Sequence, residues 1–374
     1  MIKFNRPYVS GKEIQYVEEA ITSRWISGGG SFTNLCCAFL AKRYGFRKSI
    51  LTTSCTDALE MIAILLKIKE GDEVIMPSFT FVSTANPFVL RGAKIIFCDS
   101  RNDHPNIEYK KIESLITDRT KAIVIVHYAG IAIDLDTIIE ITQRRNIPLI
   151  EDAAQAIDSF YKGRPLGSFG AMSTISFHET KNISCGEGGL LVINEEKYFE
   201  RAEILRDKGT NRSAFFRGEV DKYSWVDIGS SFLLSELNSA YLLAQLECLD
   251  TVQQKRKMLW DVYFEELSAQ NLSGKLELPI TPSGASYNGH IFFVICQNAK
   301  TRDELALHLK RNGIVALFHY QSLHMSPYYF NKFSGEALPN SERYSDCLLR
   351  LPLYYELTPA DIRGVTDKIL EFYL

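Results

Sequence analysis

The stretch KAIVIVHYAGIAIDLDTIIEITQRRNIPLIE, residues 121–151, contains two short apolar runs with a helical segment between them. The runs KAIVIVH and IPLIE are apolar on both faces, which is typical of strands buried in a parallel sheet with helices on each side. From Leu135 to Ile141 the apolar residues recur about every 3.6 residues, as in a helix that packs on one face. This order of strand, helix and strand predicts an α/β fold.

The same alternation extends in both directions, from about residue 48 to residue 193. Further strand-like runs are SILTT, EVIMP, KIIFCD, STISF and GLLVIN, and a second helical segment runs from Ala58 to Leu66. The sequence therefore predicts a domain with a mostly parallel sheet. Ligands in such folds bind at the carboxyl ends of the strands.

The pattern changes after Ser230, where a long helical stretch of roughly residues 233–270 begins. It is followed by the strand-like run HIFFVIC at 290–296, the helix-like TRDELALHLKRNG and the tail SERYSDCLLRLPL. Because a chain of 374 residues exceeds the roughly 250 to 300 that one core accommodates, we expect two domains. We place a large domain at residues 1–232, and a bridging helix with a small α+β domain at residues 233–374.

Composition and charge exclude several classes of function. A net charge of −3 provides no broad positive field for a phosphate backbone, so nucleic acid is not an expected partner. The eight cysteines form no CxxC pair, and we interpret them as reduced thiols without a metal site. The N-terminus lacks the apolar core of a signal peptide and no run approaches 18 apolar residues, so we expect a cytoplasmic protein without membrane insertion.

Residues 52–61, TTSCTDALEM, place small hydroxyl residues between a strand end and a helix. Thr56 and the backbone of Asp57 would lie at the helix N-terminus, where free N–H groups and hydroxyls can bind a phosphate. A plain helix cap explains the same residues without any ligand.

Residues 151–157, EDAAQAI, follow the strand IPLI and place Asp152 at its carboxyl end. A carboxylate there could hold a protonated pyridine nitrogen, and Gln155 could reach the phenolic oxygen of the same ring. The alternative is that the acidic residues only cap the next helix.

Residues 173–189, STISFHETKNISCGEGG, place Lys181 on a short loop between two strands, the second reached through glycines. A lysine behind a buried strand is poorly placed for a solvated charge, whereas a Schiff-base lysine needs surroundings that lower its pKa. The HExxH pattern of zinc proteases fails because residue 182 is asparagine.

Residues 77–88, PSFTFVSTANPF, place Phe79 and Phe81 after the strand EVIM, where an aromatic side chain could stack on a flat ring. Packing in the core is the alternative, and we expect it for one of the two. A phosphate cup, a stacking aromatic residue, an acid and a lysine on successive strand ends together predict a pyridoxal 5′-phosphate site.

The motifs SCTDALE, VHYAG, EDAAQA, SFHETKN with GEGG, and LLSELNSAYLLAQLE resemble, in order and spacing, those of the DegT-type sugar aminotransferases. The likeness covers nearly the whole chain and implies an aspartate aminotransferase-like fold, PLP fold type I. Residues 207–237, DKGTNRSAFFRGEVDKYSWVDIGSSFLLSEL, are most similar to members that convert TDP-4-keto-6-deoxyglucose to TDP-4-amino-4,6-dideoxygalactose for enterobacterial common antigen. The resemblance implies a nucleotide-sugar substrate, L-glutamate as amino donor and a homodimer with shared active sites.

The resemblance also implies roles for individual residues. Lys181 would bond to the cofactor and move protons, Asp152 would pair with the pyridine nitrogen, and Gln155 would bond the ring oxygen. Residues that would contact the phosphate or the ring face are Thr56, Asp57, Ser176 and Phe81. Ser231 stands where many relatives place an asparagine that reaches the partner's cofactor. His319, Tyr320 and His324 would contact the substrate, and Ser322 between them stands where relatives often carry proline.

Three alternatives remain open at this stage. One is amination of another keto-deoxy nucleotide sugar, giving a 4-amino gluco or a 3-amino product. Sugar dehydratases of the same fold carry histidine in place of the lysine, so Lys181 argues against that reaction. A regulatory protein that binds cofactor or sugar without turnover is a third reading, less favoured because Lys181, Asp152 and Gln155 are all present.

Overall fold

The computed structural model describes residues 1–270 and 272–373. Within these residues the chain forms 13 α-helices and 13 β-strands, together with short 3-10 turns. The helices are α1 (Glu13–Thr22), α2 (Ser31–Tyr44), α3 (Cys55–Leu65), α4 (Asn86–Leu90), α5 (Tyr109–Leu115), α6 (Leu135–Arg145), α7 (Phe199–Arg206), α8 (Arg212–Phe216), α9 (Glu236–Glu247), α10 (Leu249–Ser268), α11 (Ala299–Arg311), α12 (Pro339–Cys347) and α13 (Pro359–Tyr373). The strands are β1 (Lys48–Thr52), β2 (Glu73–Pro77), β3 (Lys94–Cys98), β4 (Thr120–Val126), β5 (Leu149–Asp152), β6 (Phe160–Tyr161), β7 (Arg164–Pro165), β8 (Met172–Ser176), β9 (Gly189–Ile193), β10 (Leu276–Glu277), β11 (Phe292–Cys296), β12 (Leu317–Phe318) and β13 (Leu348–Leu351).

The large sheet has seven strands in the order β1-β9-β8-β5-β4-β2-β3. Its neighbours pair in parallel except for β9, which is antiparallel to both β1 and β8. All seven strand-like runs of residues 48–193 lie in this sheet, so the predicted mostly parallel α/β fold is confirmed.

Both faces of this sheet are buried, which explains why its strands read as continuous apolar runs. Along β2, Ile75 packs into the core on one face, whereas Val74 and Met76 pack into the core on the other. Successive side chains of a strand point to opposite faces, so a strand covered on both sides is apolar on both and not only at alternate positions.

The C-terminal part forms a four-stranded antiparallel sheet in the order β10-β11-β13-β12. Its core is built with side chains from α10, α11 and α13, among them Leu259, Leu305 and Val365. This arrangement confirms the expected smaller α+β unit.

The predicted bridging helix is two helices, α9 and α10, which meet at Cys248. Side chains of α9 and of the start of α10, such as Leu246 and Val252, pack into the core of the large sheet. The domain boundary at residue 232 stays a proposal, since this packing attaches α9 to the large domain.

None of the described helices has the length and apolar character that crossing a bilayer requires. The cytoplasmic location stays a prediction. All eight cysteines are free thiols, and no group of three or more metal-ligating side chains occurs within the described ranges.

Candidate active site

A cavity of about 630 Å³ lies where the carboxyl ends of β4, β5 and β8 face the small domain. The large domain lines it with Val126, Asp152 and Ser176, which end those three strands, and with the first turn of α3. The small domain contributes residues 317–321 and β13, and residues 4–5 of the N-terminal segment complete the lining. The volume lies in the range of about 300 to 1,000 Å³ typical of ligand sites.

Asp152 is 6% exposed, and its carboxylate lines this cavity. The hydroxyl of Thr84 donates to its Oδ2 at 2.6 Å, and the backbone N–H of Ala154 donates to its Oδ1 at 3.1 Å. Burial raises the pKa of Asp152, and these two hydrogen bonds offset the rise only in part. Among the described residues, no cationic group lies within 4 Å of the carboxylate, so it is free to bind a cationic atom of a ligand.

Lys181 lines the same cavity from the loop between β8 and β9. Its Nζ has no hydrogen bond or ion pair with any described residue. Burial lowers the pKa of this ammonium, and the positive charge of Arg350 lowers it further, whereas Cys55 and Asp152 oppose the shift. The amine is thereby shifted towards its neutral, nucleophilic form.

The loop that carries Lys181 is fixed through its neighbour Asn182. The Asn182 amide donates to Oε1 of Gln253 at 2.8 Å and to the carbonyl of Asn288 at 2.9 Å. Its Oδ1 lies 2.9 Å from Nδ1 of His290. These buried contacts tie the loop to α10 and to the segment before β11, so Lys181 projects from a rigid base.

The first turn of α3 lies where the sequence predicts a phosphate cup. Ser54 caps the helix by accepting a hydrogen bond from the N–H of Asp57 at 3.0 Å, and Thr56 Oγ1 donates to Ser83 Oγ at 2.8 Å. Thr56 and Ser83 line the cavity. The Asp57 carboxylate accepts hydrogen bonds from Thr53 and Ser54, and its backbone N–H donates to Ser54, so a contact between this N–H and a phosphate stays a prediction.

Gly189 lets β9 approach this turn closely. A Cβ at this position would lie 2.4 Å from backbone atoms of Ser54 and Cys55, which no side chain tolerates. The glycine of the GEGG motif therefore sets the distance between the strand and the helix N-terminus.

The two phenylalanines of the predicted stacking segment separate. Phe79 is 1% exposed and packs in the core between the domains with Tyr128 and Tyr344. Phe81 is 53% exposed and lines the cavity. One of the pair is thus in the core, and Phe81 is the one positioned to cover a bound ring.

Gln155 and Tyr320 also line the cavity and are joined to each other. The Gln155 side chain accepts a hydrogen bond from the N–H of Ala129 at 2.7 Å, and its amide donates to the Tyr320 hydroxyl at 3.0 Å. Because this hydroxyl accepts from Gln155, its own hydrogen can point to a ligand. Its proton stays on, since burial raises the pKa of Tyr320.

Of the three predicted substrate contacts, His319 and Tyr320 line the cavity and His324 does not. His319 lines the cavity beside Tyr320, with its Nδ1 at 3.1 Å from the Tyr128 hydroxyl. Burial lowers the pKa of His319 well below its ordinary value, as do the charges of Arg350 and Lys181, so the imidazole is neutral.

His324 requires a correction, because it lies outside the cavity lining and is 2% exposed. Its Nδ1 is 2.7 Å from Ser78 Oγ and its Nε2 is 3.1 Å from Oε1 of Glu342. After Gln321 the chain leaves the cavity lining and enters a 3-10 turn at Leu323–Met325. His324 is thus a structural residue that anchors this loop.

Ser231 is exposed and does not line the cavity of its own chain. Its backbone pairs with Asp207. A contact with a cofactor in a partner subunit stays a prediction.

The sequence reasoning missed Arg350, whose side chain from β13 lines the cavity. The only signal in the sequence is a lone charged residue within the apolar run LLRLPL. Burial lowers the pKa of its guanidinium, although the two nearby tyrosines Tyr128 and Tyr320 act in the opposite direction.

Comparison with known proteins agrees with this geometry. The model of the DegT/DnrJ/EryC1/StrS aminotransferase family matches residues 7–370. The aminotransferase TlmJ from Streptoalloteichus hindustanus is 29% identical, with 100% of this chain and 99% of that chain covered and a TM-score of 0.91. DesV from S. venezuelae is 28% identical, with 99% and 98% covered and a TM-score of 0.89. Spr1654 from Streptococcus pneumoniae in its PLP form is 23% identical, with 99% and 98% covered and a TM-score of 0.91, a likeness of fold alone.

Proposed function

The chain belongs to the DegT/DnrJ/EryC1/StrS aminotransferase family, and we propose that, as a pyridoxal-phosphate-dependent sugar aminotransferase, it aminates C4 of TDP-4-keto-6-deoxy-D-glucose. L-Glutamate is the amino donor, and the products are TDP-4-amino-4,6-dideoxy-D-galactose and 2-oxoglutarate. The observation that carries the proposal is the unpaired Lys181 amine, which is partly buried and shares one cavity with the buried Asp152 carboxylate. The choice of sugar rests on the narrower likeness of residues 207–237.

The residues of the cavity fit pyridoxal phosphate. Its ring nitrogen is matched by a buried carboxylate that lacks a cationic partner among the described residues, and its aldehyde by an amine shifted towards neutrality. Its phosphate is matched by the N-terminus of an 11-residue helix lined with hydroxyls. One cavity thus offers a complementary group for each reactive part of the cofactor.

The individual contacts follow from these positions. Asp152 would hold the proton of the ring nitrogen, Tyr320 or Gln155 would donate to the ring oxygen, and Phe81 would cover one ring face. Thr56, Ser176 and the backbone of Asp57 would hold the phosphate.

When bound, the cofactor supplies a positively charged ring that stores the electron pair released at the carbon bearing the amino group. Lys181 Nζ would take the proton from Cα of the donor amino acid and, in the second half of the reaction, deliver a proton to C4 of the sugar. Its loop is held rigidly, so the proton arrives from one fixed side of the sugar. The face that the sugar turns towards Lys181 therefore decides between a galacto and a gluco amine.

A homodimer with shared active sites is part of the proposal. Ser231 reaches no atom of the cavity in its own chain, so a role at a cofactor requires a second copy. Large exposed apolar side chains such as Trp25, Phe216 and Trp225 would be covered in a dimer. Sedimentation equilibrium of the purified protein tests this point.

The test of the proposed function is incubation with pyridoxal phosphate, L-glutamate and TDP-4-keto-6-deoxyglucose, followed by NMR of the product. A 4-amino sugar of galacto configuration is the expected result. A gluco amine, or a 3-amino sugar formed only from the isomeric ketone, would contradict the substrate assignment and leave the aminotransferase chemistry intact. No product together with no cofactor absorbance change would refute the function altogether.

A further inference from the structure

Arg350 is held in one orientation by the small sheet. It lies on β13, which pairs with β11 on one side, where Arg350 is opposite Phe293, and with β12 on the other, where it is opposite Leu317. The flanking residues Leu349 and Leu351 point into the core of the small domain. Because side chains alternate along a strand, Arg350 faces the other way, towards the cavity.

Its guanidinium is almost entirely without partners in the described part of the chain. Nη2 donates to the carbonyl of Phe318 at 3.1 Å, whereas Nε is buried without a hydrogen-bond partner. No described carboxylate lies within 4 Å of the group. The ring of Phe4 covers the guanidinium at 4.5 Å, which leaves the edge of its planar fork for a ligand.

A partly buried guanidinium that faces a cavity with unmet donors, one of them a fully buried Nε, is well placed to bind an anion. We propose that Arg350 binds the α-carboxylate of the amino-acid donor, a role that rests on the proposed function. A planar guanidinium matches a carboxylate through two parallel N–H···O bonds.

The position of Arg350 favours the donor's carboxylate over the diphosphate of the sugar nucleotide. In an α-amino acid the carboxylate is bonded to the very carbon whose proton Lys181 removes. Arg350, Lys181 and His319 all line the same cavity. The diphosphate of a 4-keto sugar, by contrast, is attached at C1, across the hexose ring from the reacting carbon.

This inference makes Arg350 a determinant of donor specificity. An amine without an adjacent carboxylate would leave the guanidinium without an anionic partner and would bind weakly. The sugar half of the reaction does not use this contact, so the keto sugar and the donor can occupy the same cavity in turn while only the donor depends on Arg350.

The test measures binding at equilibrium and not turnover. α-Methyl-L-glutamate and 2-aminoisobutyrate both carry an α-carboxylate but no α-hydrogen, so their binding to the cofactor-loaded protein can be titrated through cofactor absorbance. Arg350→Gln should weaken both by a similar factor, about 10- to 100-fold, the range for a charge-assisted hydrogen bond. Arg350→Lys should give an intermediate loss, since it keeps the charge and loses the fork.

Arg343→Gln is the matched control, because Arg343 forms an ion pair with Glu277 away from the cavity lining. It should bind both amino acids as the wild type does. Thymidine diphosphate, titrated by calorimetry, should bind the wild type and Arg350→Gln equally.

Wild-type affinity of Arg350→Gln for both amino acids would overturn the inference. So would a loss confined to α-methyl-L-glutamate, which would assign Arg350 to the distal carboxylate, or a loss confined to thymidine diphosphate. The cofactor response distinguishes a failure of the Arg350 role from a failure of the proposed function. An intact response in Arg350→Gln with wild-type affinity removes only the Arg350 role, whereas a wild type that does not respond to pyridoxal phosphate removes the proposed function with it.

Discussion

Replacing Asp152 by asparagine should make the cofactor-free protein more stable while weakening its hold on the cofactor. The carboxylate is buried, and its two hydrogen bonds come from neutral donors, Thr84 and Ala154. Asparagine has the same shape without the charge. Its Oδ1 can accept from the Ala154 N–H, and its Nδ2 can donate to Thr84, whose hydroxyl can then donate to Thr80 Oγ1 at 2.8 Å.

Because every hydrogen bond can be remade, the change removes chiefly the cost of burying the charge. We expect the free energy of unfolding of the cofactor-free protein to rise by about 1 kcal/mol, the lower end of the cost of an unsatisfied buried polar group. The cofactor should bind about 10- to 100-fold more weakly, since the variant loses a charge-assisted hydrogen bond to the ring nitrogen. The two effects have opposite signs, which a general loss of folding cannot imitate.

The pH dependence follows from the raised pKa of Asp152. The folded protein binds the proton more tightly than the unfolded chain, so the wild type is destabilised above that pKa. The advantage of Asp152→Asn should be complete at neutral pH. It should shrink as the pH falls through the raised pKa towards 3.8, the ordinary value of the carboxyl.

Urea unfolding followed by tryptophan fluorescence gives the stability, and absorbance titration with pyridoxal phosphate gives the affinity. Asp136→Asn is the control, because Asp136 is an exposed partner of Lys162 and should change stability by less than about 1 kcal/mol. Lower stability of cofactor-free Asp152→Asn together with unchanged cofactor affinity would refute the reasoning.

Three further predictions concern the same site and its supports. Lys181→Ala should abolish transamination and leave the circular dichroism spectrum unchanged; turnover by the purified variant would contradict the role of the amine. Glu151→Gln should lower the free energy of unfolding by about 3 kcal/mol, because the carboxylate is buried and accepts hydrogen bonds from three backbone N–H groups and from His127. Burial alone would raise the pKa of Glu151, but these hydrogen bonds outweigh it and lower the pKa. The loss of stability in Glu151→Gln should therefore be complete at pH 7 and shrink below pH 4.5, the ordinary pKa of the group. Urea unfolding at both pH values checks this, and a loss independent of pH would count against it. Gly189→Ala should push β9 away from α3, cost about 1–3 kcal/mol and weaken cofactor binding, whereas Gly364→Ala, with open space around its Cβ, should be neutral or slightly stabilising in the same titrations.

The fold was predictable from the sequence because burial on both sheet faces leaves an unambiguous pattern. Every strand of the large sheet appeared as an apolar run. The break between α9 and α10 was not predictable, since no proline or glycine lies near Cys248. Leu246 and Val252, on either side of the break, both pack in the core of the large sheet, and α10 reaches the small-domain core only further along, at Leu259.

The site was predictable where its residues end strands and not where they come from the small domain. Asp152 and Ser176 end β5 and β8, Lys181 follows β8, and the rule for parallel sheets places such residues at one edge. Arg350 and His324 depend on the direction of single side chains in the small domain. No periodicity of the sequence shows that Arg350 turns towards the cavity or that His324 turns away from it.

The separation of Lys181 and Asp152 explains why both groups remain available to the cofactor. An ammonium and a carboxylate in one cavity would stabilise each other if they paired, and the pair would leave neither group free for a cofactor. The fold prevents this pairing because Asp152 is held at the end of β5 by Thr84, whereas Lys181 stands on a loop anchored through Asn182. Each group therefore lines the cavity without its opposite as a partner, and desolvation shifts both towards their neutral forms. A ligand with a cationic ring nitrogen and a carbonyl carbon satisfies both at once, so cofactor binding should stabilise this protein through these two groups more than any single surface ion pair could.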